Sequence, residues 1–164
     1  MSVVSNSGPL INLAKVGHLS LLKDLFQRIL LPRWVFEEVV VRGAGQPGSV
    51  ETSRPRWISR RTLKQPGIAN ILMAELDQGE AEAIALTLQE NADWLLIDER
   101  KGRRLAQQAC LKVKGILGIL VEDVRHGCIE DIRPLLEEMI ARGTWLTPAV
   151  YEHVLALAQQ IRRC

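Results

Sequence analysis

Gly79-Glu80-Ala81-Glu82-Ala83-Ile84-Ala85-Leu86-Thr87-Leu88, followed shortly by Trp94-Leu95-Leu96-Ile97-Asp98, is the stretch that decides the fold class. The first run is rich in good helix formers and acidic in its opening turn, where the helix dipole favours negative charge. The second is a near-continuous apolar run of strand length ending in an acid, which predicts a buried parallel strand. The same alternation extends upstream. Val3-Val4, closed by Ser5-Asn6-Ser7-Gly8-Pro9, predicts a strand and a turn. Leu10 to Ala14 predicts a helix stopped at Gly17, His18 to Phe26 a second helix, and Ile29-Leu30-Leu31 a second strand. Pro32 opens a helix from Arg33 to Arg42 that carries Glu37 and Glu38 and stops at Gly43. The Gly-, Pro-, Ser- and Arg-rich stretch to Pro55 predicts a flexible segment, and Trp57 to Leu63 a short strand. Downstream, Lys101 to Ala109 is helical and Val113 marks another strand. The last third, Ile116 to Ile161, reads as three helices, the final one opened by Thr147-Pro148. Strands alternating with helices predict an α/β fold with a central, mostly parallel sheet covered by helices on both faces and a helical C-terminal third.

Composition sets the outer bounds. The chain has 164 residues, 47% hydrophobic and 24% charged, the profile of a globular protein rather than a disordered or fibrous one. A chain of that length buries a substantial core, and no repeat or convincing linker divides it, so residues 1–164 are expected to form one domain. There is no apolar run of about 18 residues and no secretory-type N-terminus, so the expectation is a cytoplasmic protein without a membrane span. Cys110, Cys128 and Cys164 are widely spaced and lack any C-x-x-C pair, which argues against a disulfide framework or thiolate metal site; they are expected to be two packing residues and a tail thiol. The net charge of +2 hides two basic clusters, Arg54, Arg56, Arg60, Arg61 and Lys64 in one and Arg100, Lys101, Arg103 and Arg104 in the other. Either is a solvated face or a phosphate-neutralising track.

Chemistry in a parallel sheet gathers beyond the carboxyl ends of the strands. Four places meet that rule: Asn6 after the first strand, Glu37 or Glu38 in the helix after the second, Glu80 with Glu82 at the start of the central helix, and Asp98 after the buried strand. Carboxylates without His or Cys companions suit hard cations such as Mg²⁺ or Mn²⁺, which polarise phosphates and activate water. Taken singly, each acid also has a plain structural role as an exposed pair, a dipole-complementing residue or a helix cap. His18, His126 and His153 are far apart in sequence and support no nucleophile-and-histidine arrangement. Trp34, Trp57, Trp94 and Trp145 are expected in the core or an interface, with Trp57, set among arginines, a candidate for contacting an unstacked base.

The joint order of these residues is more specific. Val3 to Ala14, Leu31-Pro32 with Val35-Phe36-Glu37-Glu38-Val39, Gly79 to Leu86, and Leu95 to Ala106 together resemble a prokaryotic branch of the PIN-domain superfamily, and the resemblance continues through Gly115 to Leu120 and Ile132 to Leu136. It implies a Mg²⁺- or Mn²⁺-dependent ribonuclease, commonly homodimeric, in a family where many members are toxins of toxin-antitoxin pairs. RNA, single-stranded or structured, and an antitoxin protein are the implied partners. On the family pattern Asn6, Glu38, Glu80 and Asp98 take the catalytic and metal positions. Glu37 is the alternative to Glu38, and Glu82 and Glu99 lie close enough to assist. Arg54 to Lys64 and Arg100 to Arg104 would guide the substrate.

One departure from the pattern is Asn6, where the family usually has Asp. An amide oxygen ligates but brings no charge, so metal affinity should fall. Ser5 or Ser7 can donate to phosphate or to a ligand, although capping is the commoner role of such residues. The second reading is therefore an RNA-binding or regulatory module with weakened catalysis. A phospho-acceptor receiver centred on Asp98 fits poorly, because the paired acids expected after a first strand are absent.

Overall fold

The computed structural model describes residues 1–164 and divides the short apolar runs into five parallel strands: β1 (Val3–Ser5), β2 (Ile29–Pro32), β3 (Ile58–Arg61), β4 (Trp94–Leu96) and β5 (Val113–Lys114). Their order across the sheet is β3-β2-β1-β4-β5, with Val4 opposite Leu30 on one side and Leu95 on the other. Because side chains alternate along a strand, Val3, Ile29, Leu31 and Leu96 enter one buried cluster, while Val4, Leu30, Leu95 and Ile97 enter a second. The first cluster packs under α1 (Ser7–Lys15), α2 (Leu21–Phe26), α8 (Ile116–Arg125), α9 (Arg133–Ala141) and α10 (Pro148–Arg163). The second packs under α5 (Gly67–Leu72), α6 (Gln78–Gln89) and α7 (Arg100–Gln108). The α/β class, the parallel sheet with helices on both faces and the helical last third are therefore as expected. No helix is long and apolar enough to cross a membrane.

Several local expectations are corrected by the structure. Ser7-Gly8-Pro9 is not a turn but the first turn of α1, where proline lacks only an N–H that has no partner in any case. The expected helix over Arg33 to Arg42 begins as α3 (Arg33–Phe36) and continues as a π-helix over Glu37–Arg42. The stretch expected to be flexible holds α4 (Ser49–Ser53), pinned by buried Ser49 and Thr52 and by the Ser49 hydroxyl donating to the Val40 carbonyl at 3.0 Å. Helix α5, which follows Pro66, has no counterpart among the expected elements. All three cysteines are exposed. Cys110 has a left-handed backbone (φ 61°) just past α7, and Cys128 follows Gly127 just past α8, so both occupy solvent-facing turns.

The strand order fixes where a ligand can enter. The chain winds outward from β1 through β2 to β3, then returns to place β4 on the other side of β1. Between β1 and β4 the connections diverge to opposite directions, which opens a crevice at the carboxyl ends of those two strands.

Candidate metal and nucleic-acid site

Asn6 and Asp98 stand on either side of that crevice, just after β1 and β4. Asn6 is the N-cap residue of α1, yet its side chain makes no capping hydrogen bond. It is only 6% exposed, and its Oδ1 is buried without a hydrogen-bond partner. That oxygen points at Gly79, in the first turn of α6. A methyl group placed on the Gly79 Cα would lie 3.2 Å from Asn6 Oδ1, 3.2 Å from Glu38 Oε2 and 3.4 Å from Asp77 Oδ1. Three oxygens from three separate elements thus face one small space.

The register of the helix after β2 separates its two acids. Glu37 Oε1 accepts from Arg33 Nε at 2.8 Å, and that hydrogen bond holds its carboxyl below the usual range. Glu38 is left to reach Gly79.

Glu80 is buried but otherwise engaged. Its backbone N–H donates to Asp77 Oδ1 at 2.8 Å, and its own Oε2 accepts from the Asp77 N–H at 3.3 Å, a reciprocal capping box at the start of α6. Its Oε1 has no partner and faces Gly102 of α7. Burial first, then the neighbouring charge of Asp77, pushes its carboxyl up. Glu82 is also committed, accepting from the Trp34 N–H at 3.3 Å and from Gln78 Nε2 at 2.9 Å, so it ties α6 to α3. Glu99 is exposed at the N-cap of α7.

Asp98 Oδ1 accepts from the Ile116 N–H at 2.6 Å, and Oδ2 from Asn12 Nδ2 at 3.4 Å. Burial raises its carboxyl above the usual range, opposed by those two donors and by the charge of Arg103. Neither Asn12 nor Arg103 stands out in the sequence as a partner of Asp98, since Asn12 lies mid-helix with no distinguishing pattern and Arg103 is one of a basic run. Asp77 is absent from the expected site as well, although Asp-x-x-Glu before an apolar helix is a legible cap signal. Ser5 is buried and its hydroxyl donates to the Asn6 carbonyl at 2.9 Å, which stiffens the strand end rather than facing a ligand.

Two clefts open on Asp98. One, about 690 Å³, is walled by Arg100, Lys101, Arg103, Arg104 and Gln107. The other, about 590 Å³, runs between β5, α8 and α10 and includes Asn12, Lys114, Trp145 and His153. Trp145 is 82% exposed, whereas Trp57 packs half-buried against the core, so the freely exposed indole is not the one the sequence suggests. The other basic cluster lies on the far edge of the sheet: Arg60 and Arg61 belong to β3, and Arg60 sits over the Phe36 ring at 5.3 Å. At about 4.8 Å per strand, β3 is roughly 14 Å from β4, so the two clusters flank the acids rather than merge.

The sequence profile of a PIN-domain family, DUF3368, matches residues 2–160. The chain belongs to the PIN-domain family. Membership brings a nuclease-type fold, a family that generally uses divalent metals, and nucleic acid as the class of partner. No curated protein and no solved structure matches this PIN domain.

No three His, Cys, Asp or Glu side chains are grouped as a metal-binding set. The donors that do converge are two carboxylates and an amide, all oxygen, around the bare Cα of Gly79. That chemistry suits a hard divalent cation, and the buried Asn6 oxygen has no hydrogen-bond partner of its own.

Proposed function

We propose that this PIN domain is a metal-dependent endoribonuclease that hydrolyses phosphodiester bonds in single-stranded or structured RNA. The observation that carries the reading is the convergence of Asn6 Oδ1 and Glu38 Oε2 on Gly79, beside a crevice whose other wall is Asp98. Mg²⁺ or Mn²⁺ bound there supplies charge neutralisation of a phosphate oxygen and activation of water. Glu38 and Asn6 hold the oxygen-ligand position. Asp98, oriented through Asn12 and the Ile116 N–H, sits where the strand crosses and can take up a proton because burial raises its affinity for one. Arg103 and its α7 neighbours bind phosphates on one side of Asp98, and Arg60 and Arg61 do so on the sheet's other flank. Glu80 holds the first turn of α6 through its capping box.

The same reading extends to assembly and cellular role: one domain, a homodimer, and the toxin of a toxin-antitoxin pair acting in the cytoplasm. Exposed Ile68, Ile71 and Met73 around α5 leave an apolar surface for a partner copy. Expression that arrests growth, relieved by a small protein encoded in the adjacent reading frame, tests the role.

The direct test is cleavage of single-stranded RNA and tRNA by purified protein with Mn²⁺. Glu38→Gln is expected to lower the rate by about 10²-fold or more, the scale of losing one electrostatic element of a site. Asn6 favours the second reading, an RNA-binding module with weakened catalysis, since it removes one charge from the ligand set. Asn6→Asp separates the two. A large gain in cleavage over an inactive parent supports the weakened module, and an active parent that gains nothing supports the nuclease as it stands.

A further inference from the structure

Resting on the metal-dependent reading above, we infer that the cation position is the bare Cα face of Gly79, ligated by Asn6 Oδ1, Glu38 Oε2 and Asp77 Oδ1, so that Asp77 and not Glu80 is the acid α6 contributes. The three oxygens lie 3.2, 3.2 and 3.4 Å from one point on that face, and they come from the end of β1, the π-helix after β2 and the N-cap of α6. Asn6 is only 6% exposed, and its unpartnered Oδ1 is aimed into this space, forgoing the capping role its N-cap position offers. A buried carbonyl oxygen without a donor is costly unless something electropositive meets it.

The two acids of the capping box divide the work. Glu80 Oε2 is turned back onto the Asp77 N–H, and Oε1 points to Gly102 on the side of α7, so neither oxygen joins the convergence at Gly79. Asp77 Oδ1 accepts one hydrogen bond, from the Glu80 N–H, and an ionised carboxylate oxygen keeps a second lone pair for a ligand. Two carboxylates and an amide also balance a divalent charge.

Gly79 itself fits this assignment. Its φ is not in the left-handed region, so the backbone there does not call for glycine, and alanine would favour the helix by about 1 kcal/mol. What alanine would do is fill the space between the three oxygens. The missing Cβ is thus explained by the space and not by the turn.

The test is Mn²⁺ binding to the purified full chain, read by electron paramagnetic resonance of free Mn²⁺ without RNA present. Asp77→Ser keeps an N-cap oxygen for the Glu80 N–H but removes the charge, and should weaken binding by about tenfold or more. Gly79→Ala should weaken it similarly while still unfolding cooperatively on heating. Glu80→Gln keeps an Oε acceptor for the Asp77 N–H and should change binding by less than the Asp77→Ser loss. Loss of binding in Glu80→Gln with retention in Asp77→Ser overturns the assignment, and so does undiminished binding by a folded Gly79→Ala. A parent that binds no Mn²⁺ overturns this site and the metal-dependent function together. A parent that binds with the stated dependence yet cuts no RNA keeps this ligand set and loses only the ribonuclease reading.

Discussion

Asn6 and Asp123 are both buried with side-chain oxygens that lack a hydrogen-bond partner. Asn6 turns its unpartnered oxygen toward Gly79, where the cation is proposed to bind. Asp123 is fully buried on α8, both carboxylate oxygens lack partners, and nothing in the candidate site uses it. Burial, with Asp24 and Glu122 nearby, pushes its carboxyl up to about 7. In the unfolded chain it ionises near its ordinary value of about 4. Between those two values the folded state binds the proton that the unfolded state has released, so stability falls as pH rises through about 4 to 7 and levels off above. Asp123→Asn removes that penalty. Its melting temperature should match the parent's near pH 4 and exceed it at pH 8, by an amount reflecting about 4 kcal/mol. Equal melting of the two proteins at pH 8 would contradict a buried carboxyl raised to about 7. The aspartate at this position is visible in the sequence, but its burial is not, because one acid on an otherwise apolar helix face shows its partners only after packing.

At the level of elements, the acids that can be named from sequence are sorted by local geometry. Glu37 and Glu38 are adjacent in sequence and equivalent by composition. The helical register turns one to Arg33 and the other to Gly79. In α6, Glu80 reads from sequence as a site acid, and its reciprocal hydrogen bonds with Asp77 make it half of a capping box. Packing between elements is equally strict at Gly102 of α7, where a Cβ would stand 2.6 Å from Ile97 Cδ1 and 3.0 Å from Glu80 Oε1. Gly102→Ala therefore gains helix propensity and loses more to overpacking, with an expected net cost of about 1–3 kcal/mol. Thermal or urea unfolding measures it, and a variant as stable as the parent would show that α7 moves away freely. The element missed altogether, α5, is six residues long and gains its order from packing on α6, which no short apolar run can announce.

Across the whole molecule, the placement of charge follows from the placement of strands. The basic residues of α7 line a cleft on Asp98, while Arg60 and Arg61 sit on the opposite edge strand. Lys101 and Arg104 have an exposed partner in Glu75 at 3.8 and 3.7 Å, a pairing too weak to withhold them from phosphate. If RNA crosses the acids from one flank to the other, removing three α7 cations together, Arg100→Ala, Arg103→Ala and Arg104→Ala, should reduce the slope of log affinity against log salt by about 2 for a single strand. Fluorescence anisotropy with a labelled oligonucleotide reads the slope. An unchanged slope would place the strand elsewhere.

The sequence by itself determined the α/β class, the strands, most of the helices and the family, because each rests on local periodicity, end signals or the order of motifs along the chain. It also determined which oxygen-bearing residues follow strands. Only the tertiary structure decided which of them meet. The divergence of connections between β1 and β4 sets Asn6 across from Asp98, a π-helical turn selects Glu38 over Glu37, and a capping box turns Glu80 inward while leaving Asp77 beside Gly79. Convergence of side chains from separate elements depends on strand order and packing angle, and neither is written in any local stretch of the chain.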